Sequence, residues 1–150
     1  MKNFTIACLL LVVFAGCKKE EEAEPEAGAT VAATYQMTAW GLDNGTGYSE
    51  VALPVTTGAT TGSGIVTAVR RDANTVELSS KITTNTSIIS FPGVGQTSVP
   101  ATLQKSSTGY DMLNNGTKIG TANGTTITID ITTPASGTTK AQRVVFRGKK

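Results

Sequence analysis

The sequence predicts an all-β domain, an antiparallel up-and-down meander of about eight or nine strands that closes into a barrel. Three observations carry this. Thr, Val, Ile, Ser and Gly dominate residues 30–150, and no helical period survives a window of useful length. Apolar and polar residues alternate with period two in several runs, which marks sheets solvated on one face and hence antiparallel strands. Turn signals recur at short intervals between those runs, so neighbours in sequence pair without the long return a Greek key needs. A meander of this size has two edges, and closing the ring removes them. A two-sheet sandwich is the alternative fold.

The strands follow in order. "YQMTAWGL" places the first near 34–42, and "DNGTG" at 43–47 turns it into a second near 49–57. "GSG" at 62–64 reads as a hairpin turn, because no helix follows to make it a phosphate loop. "GIVTAVR" then gives a strand near 64–71, and "RDAN" at 71–74 joins it to "TVELSSKI" at 75–82, with Val76, Leu78 and Ile82 on one face. A strand near 87–92 precedes "VPATLQK", which sets Val99, Ala101 and Leu103 on one side of a strand near 98–106. Residues 109–113 pair with 117–122 across Asn115-Gly116, and 117–122 with 125–133 across Asn123-Gly124. Both dipeptides predict type I′ turns, whose two central residues need positive φ. "TITIDIT" at 126–132 points Ile127, Ile129 and Ile131 one way and Asp130 the other. "PASG" at 134–137 turns the chain into a last strand near 139–147, where Val144 and Phe146 face inward between Arg143 and Arg147.

Ahead of this domain the chain changes character twice. Met1, Lys2 and Asn3 form a short basic head, and residues 4–16 are almost unbroken apolar sequence. That is the layout of a secretory signal. These thirteen residues span roughly 20 Å as a helix, short of the ~30 Å hydrocarbon core of a bilayer. "FAGC" places the small residues Ala15 and Gly16 directly before Cys17. This resembles the lipobox of bacterial lipoproteins, with Phe14 where leucine is more usual. The resemblance implies that diacylglycerol is joined to Cys17, that the signal of residues 1–16 is cut just before it, and that the membrane is reached through this lipid. Cys8 then leaves with the signal, and the mature chain has no second cysteine for an intramolecular disulfide. Lys18, Lys19, Glu20, Glu21 and Glu22 follow at once, then Glu24 and Glu26 around Pro25. Such a run buries no apolar surface, so residues 17–29 are expected to be a lipidated, disordered acidic tether. "CKKEEE" also resembles the surface-export signal of lipoproteins in some Gram-negative bacteria. Together these resemblances imply an outer-membrane protein exposed at the cell surface.

The globular part is expected at residues 30–150, one domain. Its turn rhythm resembles the small calycin-like (lipocalin-like) domains of secreted bacterial lipoproteins, on "GIVTAVRRDANTVELSS" and "GTANGTTITIDI…VVFRGKK". The lipocalin Gly-x-Trp signature is absent, since Thr38 stands two places before Trp40.

The whole chain has no histidine, which removes Ser-His-Asp chemistry, Cys-His nucleophiles and most catalytic zinc sites. Residues 30–150 hold ten Lys and Arg against six Asp and Glu, and the basic cluster Arg143, Arg147, Lys149, Lys150 is too small to argue for nucleic acid. Nothing in the sequence brings two carboxylates together for glycoside hydrolysis. "DNGTGYSE" at 43–50 does not fit the EF-hand spacing and reads as a plain turn. The expectation is therefore a binding protein without catalytic residues, metal or cofactor. The first candidate partner is a small apolar ligand inside the barrel. The second is a glycan or surface complex met by the outer face, through aromatic rings that cover the apolar face of a sugar. Tyr35, Trp40 and Tyr48 are the candidate ligand-binding residues.

Overall fold

The computed structural model of the protein describes residues 25–43, 45–91, 98–138 and 140–150, and for residues 88–91 the backbone alone. One short helix, α1 (Ala27–Val31), leads into eleven strands: β1 (Ala33–Asp43), β2 (Tyr48–Ala52), β3 (Val55–Thr57), β4 (Thr60–Arg70), β5 (Thr75–Thr84), β6 (Ile88–Phe91), β7 (Val99–Ser106), β8 (Gly109–Asn114), β9 (Thr117–Ala122), β10 (Thr126–Thr133) and β11 (Gln142–Lys149). Every pairing is antiparallel. The ring β1-β11-β10-β9-β8-β7-β5-β4 closes on itself through β1 and β4. The molecule is thus a closed eight-strand meander with three extra strands, consistent with a calycin-like barrel and not a sandwich.

Alternation decides which side chains fill it. Tyr35, Val66, Val76, Ala101, Met112 and Ile127 are at most 1% exposed and form the centre of the core. The intervening positions carry Gln36, Thr67, Lys81, Gln104, Lys118 and Arg147, which are wholly or partly in solvent. Apolar inside and polar outside is the reverse of a barrel that faces lipid. Among the described residues no helix is long and apolar enough to cross a membrane.

Four details differ from the sequence reading. The stretch 49–57 is two strands, broken at Leu53-Pro54, because β2 follows β1 while β3 follows β4. Gly62, Ser63 and Gly64 lie inside β4, and the turn sits earlier, at Gly58 with φ +60°. Gly64 is placed there because Met37 crosses the interior against it: a Cβ would lie 2.5 Å from the Met37 sulfur. Asn115 and Gly116 both have positive φ as a type I′ turn needs, but Asn123 does not. Its side-chain oxygen instead accepts from the backbone N–H groups of Thr125 and Thr126, at 3.0 and 2.8 Å, a local alternative open to asparagine.

The fourth difference is α1, which starts inside the stretch expected to be tether. Ala27, Gly28 and Val31 are buried, so the packed chain begins ahead of residue 30. A five-residue helix is not stable by itself, and its contacts hold it. The Gly28 N–H donates to the Ala73 carbonyl at 2.7 Å, and the Glu26 carboxylate pairs with Arg70. Val31, fully buried, receives the Tyr35 hydroxyl on its carbonyl at 2.6 Å. Helix α1 therefore plugs the end of the barrel where β1 begins and β4 ends. Residues 1–24, including Cys17, Lys18, Lys19, Glu20, Glu21 and Glu22, lie outside the described residues.

Candidate functional site

Among the described residues, the ring comes apart in three places at the end opposite α1. β1 pairs with β4 only through residues 33–36, and its residues 39–43 pair with β2 instead. β5 pairs with β7 through 75–78 and with β6 through 80–83. β10 pairs with β9 only through 127–129, although both strands run on past that point. This last separation has a local cause. The register between β8 and β9 shifts between Met112 and Leu113, which leaves Ile119 as an extra residue. Ile119 and Gly120 are then buried consecutively, and the strand bends away from β10 as a bulged strand does.

Cross-strand partners share a face, so register identifies what lines this open end. Trp40 pairs with Phe146 and Leu42 with Val144, which puts all four on the inner side. The switch from Tyr35 and Met37 to Trp40 and Leu42 as inward residues is made by the irregularity between Met37 and Ala39. Deeper in, Leu78, Ser80, Val99, Ile119, Ile129, Ile131 and Phe146 surround a space of about 20 Å³, room for about one water molecule. Beside it, Trp40, Leu42, Thr46, Gly47, Ser49 and Val51 line a hollow of about 280 Å³. The indole Nε1 of Trp40 is buried and is the one buried side-chain polar atom without a hydrogen-bond partner among the described residues. An unmet buried donor costs about 1–3 kcal/mol, and an acceptor brought by a ligand would relieve that cost.

The outer face of the same end is polar and tightly paired. Gly41 has no side chain, and the Tyr48 ring lies across it: a Cβ there would be 2.2 Å from the Tyr48 hydroxyl oxygen. The Tyr48 hydroxyl donates to the Glu50 carboxylate, which raises the Tyr48 pKa and lowers that of Glu50. Arg147 reaches Glu50 at 3.4 Å. Arg143 grips Asp130 with two nitrogens at 2.8 and 2.6 Å, and its guanidinium carbon lies 5.5 Å from the Tyr48 ring centroid. Those hydrogen bonds from Arg143 depress the Asp130 pKa and raise that of Arg143. Val145, only 2% exposed, lies between Arg143 and Arg147 on this outer side and outside the interior cluster.

The three candidate aromatics are not brought together. Tyr35 is buried at the plugged end with its hydroxyl spent on Val31. Trp40 faces the interior of the open end, half-buried, and Tyr48 stands on the outside of the same sheet, 45% exposed. In the turn after Asp43 the carboxylate accepts from the Gly45 N–H at 2.8 Å. No cluster of three or more metal-binding side chains exists among the described residues. Sequence reasoning missed the outer cluster, though it placed Asp130, Arg143 and Arg147 outward. It also missed the β9–β10 opening, whose one signal is the pair of adjacent inward residues in "KIGTA". No family model matches the chain, and no curated protein or solved structure compared with it does.

Proposed function

We propose that this chain is an outer-membrane lipoprotein, held at the cell surface by lipid on Cys17, whose barrel binds a small apolar ligand at its open end without transforming it. The anchor rests on the sequence around Cys17 and the acidic run after it. One observation carries the binding: at the end away from α1, among the described residues, inward apolar side chains are partly exposed around a buried indole N–H that has no acceptor. The space of about 20 Å³ holds no ligand by itself, so the ligand spreads over the rim formed by Trp40, Leu42 and Val51. An apolar molecule with one acceptor, such as a carboxylic acid or ester, matches that rim.

Trp40 is the only tryptophan in the chain, so its emission reports on this end alone. Titrating the full chain carrying Cys17→Ser with dodecanoate should shift Trp40 emission, and Trp40→Phe should weaken binding of a fluorescent fatty acid by about tenfold. Unmoved emission sinks the ligand reading. In cells, Cys17→Ser should release the protein from the membrane fraction, whereas a variant still acylated and membrane-bound sinks the anchor. Replacing Glu20, Glu21 and Glu22 by Ala should keep the lipid and lower digestion by external protease.

A second reading has its own observation. The exposed Tyr48 ring, which lies across Gly41 beside Glu50 with the Arg143 guanidinium over it, gives the outer face an aromatic and polar surface of the kind a glycan contacts.

A further inference from the structure

The opening between β9 and β10 does more than widen the end of the barrel. Outside the wall it forms a groove of about 530 Å³, within the size range of small-molecule sites. Ile119 and Ile131 line this groove and also line the interior space. The same two side chains thus face both sides of the wall at the level where β9–β10 pairing has stopped. No ladder of hydrogen bonds between β9 and β10 closes the wall at this level, so an apolar chain can lie across these two side chains from the groove to the rim.

The rest of the groove has a different chemistry. Its walls are Thr117, Thr121, Thr128, Thr132, Lys118 and the Asp130–Arg143 pair. Each threonine hydroxyl both donates and accepts. Each cation is already matched: Lys118 with Asp111 at 2.7 Å, Arg143 with both oxygens of Asp130. A phosphate or carboxylate would meet cations whose charge is already balanced by a neighbouring carboxylate, while a polyhydroxyl group can use donors and acceptors as they stand. The backbone groups of β9 and β10 past their last pair add more of both kinds.

We infer that this groove takes the sugar headgroup of an amphiphile whose apolar chain runs over Ile119 and Ile131 to the rim of the barrel. The inference rests on the apolar-ligand reading above and names the class of ligand. Sugar without a chain has the same headgroup chemistry, and the test separates the two.

The full chain carrying Cys17→Ser is titrated, below micelle formation, with dodecyl maltoside, dodecylphosphocholine and dodecanoate, and separately with maltose, reading Trp40 emission and heat. Dodecyl maltoside should bind about tenfold more tightly than either charged amphiphile, the value of a few net hydrogen bonds. Thr128→Val with Thr132→Val keeps strand-forming, isosteric side chains, so the fold should hold. This double variant should lose about tenfold for the maltoside and nothing for dodecylphosphocholine. Equal affinity for all three chains, with the Trp40 shift retained, overturns the groove assignment and leaves the apolar rim standing. Preference for either charged amphiphile overturns it too, as does a double variant that binds the maltoside normally. Maltose binding as tightly as dodecyl maltoside replaces the amphiphile by a free sugar. Silence from every amphiphile overturns the rim and the groove together.

Discussion

The two ends of this barrel are built from the same eight strands and behave oppositely. At the end closed by α1, β1 pairs with β4, β5 with β7 and β9 with β10, and the largest fully buried side chain, Tyr35, has its hydroxyl satisfied. At the other end each of those three pairings has stopped, Trp40 is half-buried, and its N–H is unmet. The difference shows how one barrel divides its labour. Stability concentrates where the ladder is complete and polar groups are satisfied. On the proposed reading, binding falls where ladder and core are both unfinished, because only there would a ligand add contacts that the protein lacks.

The strongest way to break this contrast is to cut the core at each end. Tyr35→Ala removes a fully buried ring and a hydrogen bond and should cost about 4 kcal/mol, whereas Ile131→Ala at the partly exposed rim should cost about 1 kcal/mol. Urea unfolding followed by circular dichroism measures both, and equal losses would show that stability is spread evenly along the barrel.

The plug gives the next largest effect. A Cβ on Gly28 would lie 2.3 Å from the Asp72 carbonyl oxygen and 3.2 Å from that of Ala73, both backbone atoms. Gly28→Ala should therefore lift α1 and lower stability by about 1–3 kcal/mol, the usual range for overpacking. Hydrogen exchange should quicken at the β4–β5 turn beside the helix and stay unchanged at β9 and β10 near the rim. Unaltered protection at that turn would mean the helix does not hold this end.

Trp40→Phe sharpens the contrast from the open end. It removes an unsatisfied donor, so the ligand-free protein should unfold at the same urea concentration as the parent or a slightly higher one, while ligand affinity falls. A large loss of stability would mean the indole N–H is not idle.

The smallest effect is acid sensitivity at the outer face of the open end. Glu50 is lowered first by the Tyr48 hydroxyl, and Asp130 first by Arg143. A carboxylate depressed by folding adds stability that is present above its unfolded value of about 4 and is lost as pH falls through the folded value. Stability should therefore decline modestly below about pH 4. Glu50→Gln with Asp130→Asn should flatten that decline and leave the midpoint at pH 7 lower. An acid slope identical in parent and variant would remove these two groups from the account.

Much of this architecture was written in local pattern. Period-two alternation in "TITIDIT" and "RVVFR" fixed the inward isoleucines and Phe146 and the outward Asp130, Arg143 and Arg147, because a strand has only two faces. Short turns fixed the meander, and closure followed from the need to pair both edges. What escaped local reading depends on partners distant in the chain. "AGATV" has no helical signal of its own and becomes α1 only against the β4–β5 turn and Tyr35. Whether Trp40 faces in or out turns on an irregularity between Met37 and Ala39 that exists only in the register with β11. The opening between β9 and β10 depends on the extra residue at Ile119, set by pairing with β8. The pairing of Asp130 with Arg143 across thirteen residues needed the β10–β11 register. Local alternation states which side chains share a face of one strand. Only the closed ring decides how far neighbouring strands stay paired, and that distance sets where the barrel is sealed and where it opens.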